Sequence, residues 1–269
     1  MTLTRSARAL LPAALLAGAL IAAPAAAASQ LRSGANHVLS RTPALGSTTG
    51  QFGAQTDVQS SNWSGYAATG AGPYKTVSTS WIQPAVNCSA TPNSYAAFWD
   101  GLDGYSSSTV EQTGTLAECS GSNAVYSAWY ETYPNPMETF SGDKVSANDA
   151  LTATVTAVTS TQFVLTLTDK PANGGPSWTA STTQTIRRAA ALSSAEVIAE
   201  APSDGYGILP LADFSTVSFG TSIVNGGNLA SASGLVDIQM ATSSRRRTTI
   251  EATPSAISSG GFSVTWDAE

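Results

Sequence analysis

The chain has 269 residues, of which 42% are hydrophobic and only 11% charged, and its formal net charge is −6. That length suits one domain behind an N-terminal export region, and an acidic balance without a basic, aromatic-interleaved patch excludes nucleic-acid binding. The one histidine, His37, lies near the N-terminus, which excludes Ser-His-Asp catalysis, Cys-His catalysis and any multi-histidine metal cage.

Residues 1–28 place Arg5 and Arg8 before an apolar run from Ala9 to Ala23, followed by small residues through Ala28. This is the pattern of a secretory signal peptide. Pro12 and Gly18 interrupt the run, and no later stretch is long and apolar enough to span a bilayer. The expected product is exported and leaves the membrane once the signal is removed. Residues 29–57 are rich in Gly, Ser, Thr and Gln and keep no sustained period, so they read as a pro-segment or a flexible linker. Arg32 and Arg41 make this segment slightly basic ahead of an acidic remainder. Residues 58–269 are the expected domain.

Cys88 and Cys119 are the only cysteines. An even pair in an exported chain reads as a disulfide, with buried free thiols as the alternative and a metal site poorer than either. From residue 60 onward short runs alternate with period two. Val77, Thr79 and Trp81 alternate with smaller polar residues; Leu151, Ala153, Val155 and Ala157 alternate with threonines. Phe163, Leu165 and Leu167 repeat the pattern, as do Val236, Ile238 and Met240, and then Phe262, Val264 and Trp266. Alternation rich in Thr and Val, broken by Gly, Pro, Asn and Ser, predicts an all-β sandwich. Residues 189–201 pull two ways. Their Ala and Glu content and a capping pattern at Ser193 and Glu196 favour helix, while Glu196, Ile198 and Glu200 alternate as on a strand. The basic run Arg245–Arg247 reads as a solvated hairpin tip.

Without histidine or metal, hydrolytic proton transfer falls to carboxylates. The candidates are Asp100, Asp103, Glu111, Glu118, Glu131, Glu196 and Glu200. Asp103 sits between glycines in GLDG, and Trp99 and Trp129 flank the same region. Gln112 lies within a strand-like run, where an inward amide is suited to stabilising an oxyanion.

The segments SSNWSGYAATG (60–70), WIQP (81–84), FWDGLDG (98–104), STVEQTGTLAEC (108–119), AWYETYP (128–134), SSAEVIAEAP (193–202) and ADFSTVSF (212–219) resemble, in order and spacing, the glutamic peptidases or eqolisins. These are acid-acting secreted endopeptidases with bacterial relatives. The resemblance implies a sandwich of two antiparallel sheets with a concave substrate cleft, no cofactor or metal, polypeptide substrates and a monomeric zymogen. It assigns catalysis to Gln112 and Glu196, and a lining or supporting place to Trp63, Trp99, Asp103, Glu131 and Tyr133. Glu196 as a carboxylate would take a proton from water while Gln112 donates to the oxyanion. Two positions depart from the family pattern. Val197 stands where tryptophan is common and is expected to reshape a pocket wall; Asp100 is expected to add negative charge near Asp103. Asn62-Trp63-Ser64 is also a formal glycosylation sequon. Competing readings are a carbohydrate-binding, lectin-like sandwich and a two-carboxylate glycosidase using Glu196 and Glu200.

Overall fold

The structure is a computed structural model and describes residues 56–142, 144–244 and 247–268. The expected signal peptide, His37 and nearly all of the expected pro-segment lie outside those residues, as do Arg245 and Arg246. In chain order the strands are β1 (Thr56–Ser60), β2 (Trp63–Ala68), β3 (Thr76–Ile82), β4 (Tyr95–Leu102), β5 (Val110–Ser120), β6 (Asn123–Tyr133) and β7 (Glu138–Thr139). They continue with β8 (Ala150–Thr159), β9 (Gln162–Lys170), β10 (Trp178–Thr185), β11 (Ala195–Glu200), β12 (Ser203–Asp204) and β13 (Gly207–Ile208). The last are β14 (Thr216–Phe219), β15 (Ile223–Val224), β16 (Gly227–Asn228), β17 (Leu235–Ser243), β18 (Thr248–Pro254) and β19 (Phe262–Trp266).

Two layers follow from the pairing. The first runs β1-β17-β2-β11-β4-β5-β6-β7. The second runs β10-β9-β8-β3, with β14 and β15 on the far edge of β3, then β19 and β18. A register shift at Met240/Ala241 lets β17 pair with β18, which joins the layers along one side. These pairings are antiparallel, apart from β1, which lies parallel to β17 from Thr56↔Val236 to Ser60↔Met240. Strand pairing therefore reaches across the boundary expected between residues 57 and 58.

The alternation read from sequence sets which side chains meet. Leu151, Ala153, Val155, Phe163, Leu165 and Leu167 are buried between the layers against Tyr66, Phe98, Leu102 and Val197 of the first layer. A second apolar cluster lies on the opposite face of the first layer and contains Trp63, Ala67, Trp99, Trp129, Ile198 and Ile238. Strands β2 and β11 are buried along their whole length, since both of their faces are covered. That settles residues 189–201. Strand β11 hydrogen-bonds to β2 on one edge and β4 on the other, and this double pairing overrides the modest helix preference of Ala and Glu. Arg247 stands exposed near the β17–β18 turn.

Cys88 and Cys119 form the disulfide, with Cα atoms 5.2 Å apart. It fastens the end of β5 to the loop ahead of β4. Replacing both cysteines with alanine is expected to cost about 3–4 kcal/mol for a loop of this length, read as a lower denaturant midpoint.

Candidate active site

Four neighbouring strands put one row of residues in register. Glu196 on β11 pairs with Gly101 on β4, Gly101 with Gln112 on β5, and Gln112 with Glu131 on β6. Cross-strand partners project to the same face, here the face that carries Trp63 and Trp99. Two interstrand spacings of about 4.8 Å put the Glu196 and Gln112 backbones roughly 10 Å apart, so two long side chains approach across a gap of about one small molecule. The gap exists because residue 101 has no side chain. A Cβ there would stand 3.0 Å from Gln112 Cβ and 3.0 Å from Trp99 Cζ3.

Gln112 is held on its far side, where its Nε2 donates to Glu131 Oε2 at 2.6 Å. Its Oε1 has no partner. Burial pushes the Glu131 carboxyl up to about 8, with the bond from Gln112 acting in the opposite direction. Glu196 has no exposed surface, and neither of its oxygens has a partner in hydrogen-bonding geometry. Burial raises its carboxyl well above the ordinary range; the charges of Asp103 and Glu111 add to this, while the Ser194 hydroxyl and the Tyr105 backbone lie close enough to offset part of it. Glu111 is also fully buried with neither oxygen partnered, and burial followed by the Asp103 charge pushes it up to about 8.

Asp103 works on the backbone. It ends β4 at a φ of 66°, and its carboxylate accepts from Leu192 N (2.7 Å), Ser193 N (2.7 Å) and Ser193 Oγ (2.8 Å). Its own N–H donates to Ser194 O at 3.0 Å. These bonds fasten the segment that feeds β11 and so set where Glu196 sits.

Trp63 and Trp99 meet edge to face at 5.0 Å. Trp99 Nε1 donates to Glu200 Oε2 at 2.8 Å, and Asn62 Nδ2 donates to Glu200 Oε1 at 3.0 Å. Glu200 thus anchors the tryptophan pair, a role that sequence reasoning missed although its period-two relation to Glu196 already put it on this face. Asn62 is fully buried in this arrangement, which removes it as a glycosylation site in the folded chain. Glu196 and Glu200 stand four residues apart on one strand, about 13 Å. That exceeds the separation of a glycosidase carboxylate pair, and Glu200 is already occupied.

Both departures from the family pattern lie on the other face of the sheet. Val197 is fully buried in the core between the layers and walls no pocket on the Gln112 face. Asp100 pairs with Val197 and Thr113, and its Oδ2 accepts from Thr79 N at 3.0 Å. Burial raises its carboxyl well above the ordinary range, so it adds a neutral group facing the second layer and no negative charge beside Asp103. The period-two alternation that turns Trp99 and Glu196 one way turns these two the other. The concave cleft that the family resemblance implies is covered over this row. Gln112 and Glu196 have no exposed surface, and Tyr105, Tyr133 and Met137 pack against the neighbouring Trp63–Trp99 cluster.

Residues 61–266 match the model of the Peptidase A4 family. The chain belongs to that family. This Peptidase A4 chain is 27% identical over 186 residues to Aspergillopepsin-2 of Aspergillus niger, a match covering 62% of the chain and 65% of the relative. It is 33% identical over 118 residues to Scytalidopepsin B of Scytalidium lignicola, covering 44% and 43%. The chain therefore spans less than two thirds of the relatives it matches. Among solved structures it resembles scytalido-glutamic peptidase bound to a transition state analog inhibitor, with a TM-score of 0.64 at 25% identity over 77% of this chain and 98% of that one. Its fold also resembles that of aspergilloglutamic peptidase from Aspergillus niger, with a TM-score of 0.55 at 23% identity over 65% of this chain and 99% of that one.

Proposed function

We propose that this Peptidase A4 chain is a secreted, acid-acting endopeptidase working as a monomer on polypeptides, with Glu196 and Gln112 as its catalytic pair. Residues 1–28 serve as the signal peptide and 29–57 as a pro-segment removed on maturation. The observation that carries the reading is the register row, in which a buried carboxyl and a buried amide face one gap above a residue with no side chain.

A water held over Gly101 lies within reach of both groups. Glu196 as carboxylate takes one proton from the water as its oxygen bonds to the peptide carbonyl carbon. The Gln112 amide, oriented by Glu131, donates to the oxyanion. Protonated Glu196 passes its proton to the leaving nitrogen as the C–N bond breaks, which regenerates the carboxylate without a covalent intermediate. In the covered site burial holds Glu196 neutral. Entry of substrate and water relieves that desolvation and brings the group back towards the ordinary glutamate range, which places the base step in acid.

The matured protein is therefore expected to fragment a denatured protein at acidic pH, followed by gel and mass spectrometry. No cleavage at any pH between 2 and 6 refutes the reading. Gly101→Ala crowds the gap from the Gln112 side and is expected to lower kcat by roughly tenfold to a hundredfold, with the protein still folded by circular dichroism.

A further inference from the structure

We infer that the cavity beside Tyr133 is a substrate subsite for an acidic side chain, recognised by Arg187 and Arg188. This inference rests on the peptidase reading above. The cavity measures about 520 Å³, and its lining includes Thr109, Tyr133, Asn135, Ile186, Arg187 and Arg188. Its place follows from the register. Tyr133 pairs with Val110, two residues along β5 from Gln112 and on the same face, which is about 7 Å along the strand. An extended peptide lying over the Glu196–Gln112 gap repeats its same-face side chains at that interval. A residue one or two places from the scissile bond therefore points into this cavity.

The two arginines are presented on fixed backbone. Strand β10 ends at Thr185; Ile186 is buried, and its N–H donates to Thr161 O at 2.9 Å. Ala190 is buried as well, and its N–H donates to Ser160 O at 2.8 Å. Arg187 and Arg188 project from between these anchors and are exposed. Among the described residues no carboxylate lines the cavity. In a chain of net charge −6, two adjacent guanidiniums at the end of a groove form a local positive field, and their planar donors match a carboxylate. A glutamate or aspartate side chain satisfies the charge and is readily accommodated in the space.

The test uses internally quenched peptides carrying Glu, Gln or Lys at each of three positions on either side of the scissile bond, cleaved at about pH 5.5, where glutamate is ionised. At one position Glu is expected to exceed Gln in kcat/KM by roughly two- to fivefold, as an exposed or half-exposed charge pair provides, with Lys below Gln. The Glu/Gln ratio falls to about one in Arg187→Gln/Arg188→Gln and at about 1 M salt. Equal cleavage of Glu and Gln peptides at every position overturns the subsite while leaving the peptidase reading intact. If no peptide is cut, the peptidase reading fails, and fluorescence-detected binding of the same peptides to Glu196→Gln still decides the subsite: equal Kd for Glu and Gln peptides overturns it, and tighter binding of Glu supports it.

Discussion

Glu196→Gln is expected to reduce peptide cleavage by at least about 10²–10⁴-fold, the range for losing a general acid–base group, while leaving the fold intact in acid. The substitution is close to isosteric. Because burial already holds the Glu196 carboxyl neutral in the covered site, the amide replaces a neutral group with another neutral group. The thermal midpoint at acidic pH is therefore expected to stay within a few degrees of the parent. What disappears is the proton carrier, since glutamine cannot take a proton from water and hand it to the leaving nitrogen. Gln112→Ala removes the oxyanion donor but leaves the carrier, so a loss of about 10²–10³ in kcat is expected. It also leaves Glu131 without the amide bonded to it, so its midpoint is expected to drop where that of Glu196→Gln does not. Cleavage by Glu196→Gln within tenfold of the parent would move the proton-transfer role to the other buried carboxyl in this row, Glu131.

Much of this neighbourhood was legible in the sequence because it rests on two simple signals. A body without histidine directs attention to carboxyls and amides, and period-two alternation tells which of them share a face. Gln112, Glu131, Glu196 and the tryptophans follow from those signals together with the family likeness. The misreadings arose where nearness in sequence stood in for facing. Asp100 is three residues from Asp103 and Val197 adjoins Glu196, but both turn into the core between the layers. Residues 189–201 are ambiguous locally because their conformation depends on strands β2 and β4, which come from distant parts of the chain. The Glu200 anchor on Trp99 and Asn62, and the packing of Tyr105, Tyr133 and Met137, depend on how side chains from four or five segments converge. No single stretch of sequence records that convergence.

The same buried carboxyls predict that the fold is most stable in acid and fails as pH rises towards neutrality. Burial raises Glu111 and Glu131 to about 8, and it raises Asp100, Glu196 and Glu200 well above their ordinary range. A carboxyl whose folded pKa lies above its unfolded value binds its proton more tightly in the native state. Its stabilising contribution is complete below the unfolded value, near 4, and is lost as pH climbs through the folded value. At about 1.4 kcal/mol per pH unit, Glu131 alone gives up roughly 5 kcal/mol between the ordinary glutamate range and pH 8, and Glu111 a similar amount. Together that is comparable with the whole stability of a typical domain, about 5–15 kcal/mol. Thermal midpoints measured from pH 3 to 8 are therefore expected to fall steadily above about pH 4.5, with unfolding at room temperature before pH 8. Glu111→Gln isolates the cause. Neither Glu111 oxygen has a partner in hydrogen-bonding geometry, and the nearby Thr109 side chain offsets only part of the burial, so the variant should keep a higher midpoint than the parent at pH 7 while matching it more closely at pH 4. A parent midpoint that rises between pH 4 and 7, or a Glu111→Gln midpoint below the parent at pH 7, would mean that these carboxyls are solvated and ionised in the native protein, and acid stability would then need another source.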